Sequence, residues 1–142
     1  MMPFAHNDAL AASKTLGRLR KKTPSSIPFL MTEGIFSMSG DITALPELMR
    51  FKQDHPDLVV YLDDAHGLGV LGENGKGTAN HFGLAEPVDF IMGTFSKSLA
   101  SIGGFIASDH VDVMEYLRSP CHPLDLFRGP ARGQCRYSTG LP

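Results

Sequence analysis

Apolar positions fall into two patterns along the chain, helical stripes and short continuous runs. From Asn7 to Lys22 the spacing of Ala9, Leu10, Leu16 and Leu19 predicts a helix that opens on Asn7 and Asp8 and closes on basic residues. Ile27 to Thr32 and Leu58 to Leu62 read as strands, the second apolar enough to be buried on both faces. Between them, Thr43 is placed to cap a helix through His55 that turns Leu45, Leu48, Met49 and Phe51 inward. Strand, helix, strand is the repeat of an α/β protein with a parallel sheet.

A third strand is expected at Asp89 to Gly93 and a fourth at Gly104 to Ser108. The link between them, about ten residues, is shorter than the dozen or more that a parallel crossover needs, so the fourth strand should run antiparallel. Ser108 or Asp109 then caps a helix with Val111, Met114 and Leu117 on one face, ending before Pro120. The segment 119–136 is rich in Pro, Gly and Arg, shows no period, and is expected to be irregular. No internal repeat or second domain is visible.

Composition narrows the function without naming it. At 142 residues and 42% hydrophobic content the chain can bury one ordinary core. A net charge of -2 offers no basic face for nucleic acid. Cys121 and Cys135 have no second pair, which fits reduced thiols in a cytoplasmic protein better than a zinc ribbon or a disulfide scaffold. The absence of an apolar stretch of spanning length, and of a signal pattern at Met1 to Asn7, predicts neither export nor a transmembrane segment.

In open α/β sheets ligands sit beyond the carboxyl ends of the parallel strands. The first strand leads to Glu33, Gly34 and Ser37, the second to Asp63, Asp64 and His66, the third to Thr94, Ser96 and Lys97. Each alone has an ordinary reading: strand-end Asp and Ser satisfy turn backbone, and a lone lysine is solvated. Together they meet the needs of a carbonyl-bearing cofactor, which requires a lysine for a Schiff base, an acid for its ring nitrogen, and donors for its phenolic oxygen and phosphate. In the turn Asp63-Asp64-Ala65-His66, closed by Gly67, Asp63 can face inward while Asp64 points elsewhere. Small residues around Lys97 (Ser96, Ser98, Ser101, Gly103, Gly104) leave room for a flat ring.

Two glycine patterns compete with this reading. Gly67-Leu68-Gly69-Val70-Leu71-Gly72 matches a dinucleotide fingerprint, but Asp63 to His66 separate it from its strand and Glu73-Asn74-Gly75-Lys76-Gly77 is no helix start. A P-loop fails because Val70 stands where glycine is required and Gly77 where Ser or Thr is. A metal-dependent hydrolase built on Asp63, Asp64 and His66 is a further alternative, one that leaves Lys97 without a task.

The motifs Glu33-Gly34-Ile35-Phe36-Ser37-Met38, Asp63-Asp64-Ala65-His66-Gly67, Gly93-Thr94-Phe95-Ser96-Lys97-Ser98 and Tyr137-Ser138-Thr139 occur in an order that resembles the α-oxoamine synthases. The resemblance runs from Phe4-Ala5-His6-Asn7-Asp8 to Pro142, and around Lys97 it is strongest to serine palmitoyltransferases. It implies the three-layer, mostly parallel large domain of the pyridoxal-phosphate transferases with one antiparallel strand, here incomplete. It also implies a homodimeric parent condensing an amino acid with an acyl-CoA, with loss of carbon dioxide, as in serine palmitoyltransferase or 2-amino-3-ketobutyrate CoA ligase. Carried over by motif, Lys97 would bind pyridoxal 5′-phosphate and Asp63 would pair with its ring nitrogen. His66 and Ser37 would donate to the phenolic oxygen, Thr94 and Ser96 would contact the phosphate, and Thr139 would serve the phosphate of the neighbouring subunit.

Relatives in that family also have a preceding segment with a phosphate-cradling turn and a ring-stacking histidine, and a following small domain with a carboxylate-binding arginine. The chain is therefore expected to be the central part of a large domain, inactive by itself. A noncatalytic remnant that pairs with a homologue is the competing expectation, since open sheet edges favour pairing.

Overall fold

The computed structural model describes residues 1–84 and 88–118. Helix α1 (Ala9–Lys22) begins where Asp8 caps it, the Ala11 amide donating to Asp8 Oδ1 at 2.9 Å. Arg20, Lys21 and Lys22 occupy the last turn, where cations complement the helix dipole. Asn7 stays outside the helix because its own backbone is left-handed (φ 50°) and its amide reaches another segment. Asn7 Nδ2 donates to the Ile42 carbonyl at 3.0 Å, and Asn7 Oδ1 accepts from the Ala44 amide at 2.8 Å.

Four strands, β1 (Phe29–Glu33), β2 (Val59–Asp63), β3 (Phe90–Thr94) and β4 (Gly104–Ala107), form one sheet in the order β1-β2-β3-β4. The first three are parallel and β4 is antiparallel to β3, as the connection lengths require. Each parallel strand runs one residue past its apolar stretch, ending on Glu33, Asp63 and Thr94. Hydropathy marks where the core stops, whereas the hydrogen-bond ladder continues into the polar residues at the sheet's edge. At β4 the expected fifth residue, Ser108, leaves the ladder and its Oγ accepts from the His110 amide at 3.1 Å.

One face of β2 is the centre of the core: Val60 and Leu62 are fully buried. Leu58, Ala79, Val88 and, from α2 (Leu45–Met49), Leu45 and Met49 pack with them. The other face of β2 differs from the expectation. Val59, Tyr61 and Asp63 are only half-buried, and a cleft of about 900 Å³ opens beside Tyr61 and Asp63, lined also by α1 and β1.

The helix expected from Thr43 to His55 is two short ones, α2 and α3 (Phe51–Asp54). Arg50 between them keeps helical angles, so the break lies in the hydrogen-bond ladder. Thr43 does not cap. It is buried, its hydroxyl shared with that of Thr32 at 3.1 Å, and Ala44 takes the cap position.

After β2 come a short 3₁₀ turn (Glu73–Gly75), α4 (Thr78–His81) and, after β4, α5 (Val111–Arg118). His110 opens α5 by accepting the Met114 amide at 3.0 Å, in place of Ser108 or Asp109. Of its expected apolar face Met114 and Leu117 are half-buried and Val111 is exposed. Beneath this helix Asp89 joins three elements: its carboxylate accepts from Lys52 Nζ (2.6 Å) and the Val60 amide (2.7 Å) and meets His110 Nε2 (3.2 Å). No helix among the described residues is long and apolar enough to cross a membrane. The expected irregular segment 119–136 and the Tyr137-Ser138-Thr139 motif lie outside the described residues.

Candidate functional site

The parallel register places Glu33 opposite Asp63 at one edge of the sheet. Backbone bonds carry the ladder beyond the strands: the Gly34 amide donates to the Asp63 carbonyl (2.7 Å) and the Asp64 amide to the Met92 carbonyl (2.8 Å). The loops after β1, β2 and β3 are thereby fixed side by side. Ser37 is exposed in the first of them, its amide donating to Glu33 Oε2 at 3.3 Å.

The loop after β2 closes as a tight turn, with the amides of Gly67 (3.2 Å) and Leu68 (3.0 Å) both donating to the Asp64 carbonyl. The loop after β3 is docked on it through Ser98, whose hydroxyl donates to the Leu68 carbonyl at 2.5 Å. That docking sets Lys97 Nζ 2.5 Å from His66 Nε2, amine against imidazole across the two loops. Beside them Thr94 Oγ1 and Ser96 Oγ share a hydrogen bond of 2.8 Å. Thr94 Oγ1 also donates to the Gly103 carbonyl at 3.2 Å, which holds the far end of the lysine loop.

Asp63 is differently placed. Its Oδ1 accepts from the Ala65 amide at 3.1 Å, and with Tyr61 it lines the cleft along α1 and β1. Burial, together with the neighbouring Asp63 charge, pushes the Tyr61 phenol above its ordinary pKa. Among the described residues no hydrogen bond or ion pair joins Asp63 to Lys97, so His66, three residues on, is the direct neighbour of the lysine. Thr139 lies outside the described residues.

Asp64 points the opposite way, as alternation along the strand requires. It is 2% exposed, and its two carboxylate oxygens accept from the Thr78 amide (2.7 Å) and hydroxyl (2.6 Å). Asp63 and Asp64 therefore diverge, and no group of three or more metal-ligating side chains gathers among the described residues. The same contacts explain the glycine pattern that resembles a dinucleotide fingerprint. A Cβ on Gly67 would enter the Asp64 carboxylate, while Gly69 and Gly72 have φ of 76° and pack against Ser98 and Asn80.

Sequence reading did not find the Asp64–Thr78 pair or the Ser98 tether, which join positions 14 and 30 residues apart. The one available signal was the density of glycine along the loop after β2, which a close backbone approach explains.

An amine beside an imidazole, with paired hydroxyls on the amine's loop and the imidazole three residues beyond a carboxylate strand end, can hold a small carbonyl compound that carries an acidic group. The family model for aminotransferase class I and II matches residues 2–123. A serine palmitoyltransferase of Sphingobacterium spiritivorum is 50% identical over 118 residues, covering 83% of this chain and 28% of that protein. An 8-amino-7-oxononanoate synthase of Alkaliphilus metalliredigens is 47% identical over 139 residues, covering 98% of this chain and 31% of that one. Among solved structures, a high-resolution serine palmitoyltransferase with a PLP internal aldimine superposes with a TM-score of 0.74 at 39% identity, over 84% of this chain and 29% of that chain. The chain thus spans less than a third of the length of these relatives.

Proposed function

Because the chain belongs to the aminotransferase class I and II family, among its α-oxoamine synthases, we propose that it forms the centre of a pyridoxal 5′-phosphate site. The enzyme so built condenses an amino acid with an acyl-CoA, releasing carbon dioxide and free CoA. The similarity to serine palmitoyltransferases favours serine and a long acyl chain within that class. The parent is a homodimer, to whose neighbouring site Thr139 contributes.

The observation that carries the reading is the 2.5 Å approach of Lys97 Nζ to His66 Nε2. In pyridoxal phosphate the aldehyde and the phenolic oxygen are substituents of adjacent ring carbons, so an amine for one and a donor for the other must be close neighbours. Thr94 and Ser96, hydrogen-bonded to each other at the lysine loop, are hydroxyls of the kind a phosphate accepts from. In chemical kind and neighbourhood, Lys97, His66, Thr94 and Ser96 fit the group.

In this assignment Lys97 holds the aldehyde carbon, His66 and Ser37 donate to the phenolic oxygen, and Thr94 with Ser96 binds the phosphate. Asp63 keeps a proton on the ring nitrogen, since a carboxylate beside a pyridinium favours its charged form. Bound in this way, the cofactor supplies an electron sink for the carbanion at the substrate's α-carbon. Lys97 is then the amine best placed to move a proton to and from that carbon, with His66 as the group that orients it.

The test is to mix the protein with pyridoxal 5′-phosphate, reduce with borohydride and map the modified peptide by mass spectrometry. Lys97 is expected to carry the adduct, and Lys97→Ala to abolish both the adduct and the absorption of the lysine-linked cofactor. An adduct on another lysine, or unchanged absorption in Lys97→Ala, overturns the assignment.

A further inference from the structure

Asp64 is the one carboxylate among the described residues that is almost wholly buried, and no role in holding a ligand is open to it. Strand alternation turns it away from the face of Asp63. A buried charge of this kind is costly unless it is hydrogen-bonded, and here both oxygens are used by a single residue, Thr78, through its amide and its hydroxyl. The surroundings are as specific as the bonds. A Cβ on Gly34, Gly67 or Gly77 would run into this carboxylate, so three separate stretches of backbone close on it directly. They are the loop after β1, the turn that carries His66, and the approach to α4.

The main chain of Asp64 adds three more ties. Its amide donates to Met92 of β3, and its carbonyl accepts the Gly67 and Leu68 amides that form the His66 turn. Leu68 in turn holds Ser98, next to Lys97. A continuous set of bonds therefore runs from Thr78 through Asp64 to Leu68 and on to the lysine loop.

We propose that Asp64, anchored by Thr78, is a positioning residue that sets His66 against Lys97. The carboxylate never touches the ligand. It fixes the turn whose outward face presents the imidazole, and the glycine cage leaves no room for the turn to settle elsewhere. A glutamate would be one methylene too long for this space, and an asparagine retains the shape but loses the charge and replaces one of the two acceptor oxygens with a donor NH2.

This inference rests on the reading of Lys97 and His66 as cofactor residues, and the experiment separates the two. The intact protein and its Asp64→Asn, Thr78→Val and Thr78→Ser variants are loaded with pyridoxal 5′-phosphate. The pH midpoint of the lysine-linked cofactor's absorption is read for each, alongside the melting temperature. Thr78→Val, nearly isosteric, keeps the amide bond and removes the hydroxyl bond; Thr78→Ser keeps both. Asp64→Asn and Thr78→Val should move the midpoint by about half a pH unit or more, with Thr78→Ser restoring it. A lower melting temperature with an unmoved midpoint in Thr78→Val overturns the positioning role, and this variant decides the matter even if Asp64→Asn fails to fold. Absence of that absorption in the unsubstituted protein instead overturns the cofactor reading.

Discussion

Lys97 and His66 meet across two loops at 2.5 Å, although 31 residues separate them in the chain. A lysine so exposed would otherwise be a solvated ammonium with no preferred direction. The imidazole gives the amine a fixed place, which reduces the ordering needed when it takes up a carbonyl ligand. His66→Ala is expected to weaken pyridoxal 5′-phosphate binding by roughly tenfold, the equivalent of one charge-assisted hydrogen bond. Titration of the cofactor's absorption measures this directly.

For Asp63 the expected effect falls on chemistry rather than retention. Asp63→Asn keeps the size of the side chain and removes its charge, so the ring nitrogen of the bound cofactor should lose roughly 1 to 3 pKa units of basicity. ¹⁵N NMR of labelled cofactor on the protein reads that protonation, and exchange of the substrate's α-proton should slow with it. Unchanged nitrogen protonation in Asp63→Asn would remove the carboxylate from its assigned role.

The sheet and its odd strand were legible because each rests on a local quantity. Apolar runs locate β1 to β4, and a connection too short to cross over dictates the reversed β4. The placement of the candidate residues after the ends of β1, β2 and β3 was legible for a related reason, since a parallel α/β sheet offers only one edge to ligands. Less legible were the features decided by distant partners. Thr43 looks like a cap until Thr32 takes its hydroxyl, and the glycine spacing after β2, although it fits no nucleotide loop, does not reveal that Gly67 and Gly77 make room for the Asp64 carboxylate. The open face of β2 was hidden too, because Val59 and Tyr61 are as apolar as a fully covered strand would demand.

Asp89 provides a pH-dependent test of the scaffold. Burial opposes its ionisation, but the bond from Lys52, the Val60 amide, the bond from His110 and the Lys52 charge together outweigh it and hold its pKa below the ordinary value. Its stabilising contribution is therefore complete above the unfolded aspartate pKa, about 4, and is lost as pH falls through the lower folded value. Asp89→Asn should cost about 1 to 3 kcal/mol at neutral pH, with the difference from the parent protein shrinking towards zero in acid. Urea denaturation at pH 7 and at a series of pH values falling below the ordinary aspartate range reads both limbs, and a loss that does not change along the series would show that packing rather than charge is responsible.

Two glycine-to-alanine substitutions should act in opposite directions. Gly17 lies in the middle of α1 with nothing near the position a Cβ would take, so alanine there removes backbone freedom from the unfolded chain without a clash. Gly17→Ala is expected to stabilise the protein by about 0.5 to 1 kcal/mol. Gly67 is buried in the turn that presents His66, and its added methyl would press on the Asp64 carboxylate and the Thr78 hydroxyl. Neither can retreat, because each is the other's hydrogen-bond partner and backbone encloses them. Gly67→Ala should therefore cost about 1 to 3 kcal/mol and loosen the His66–Lys97 approach. Thermal denaturation of the two variants side by side makes the comparison, and a Gly67→Ala protein as stable as Gly17→Ala would mean that the carboxylate is not enclosed as described.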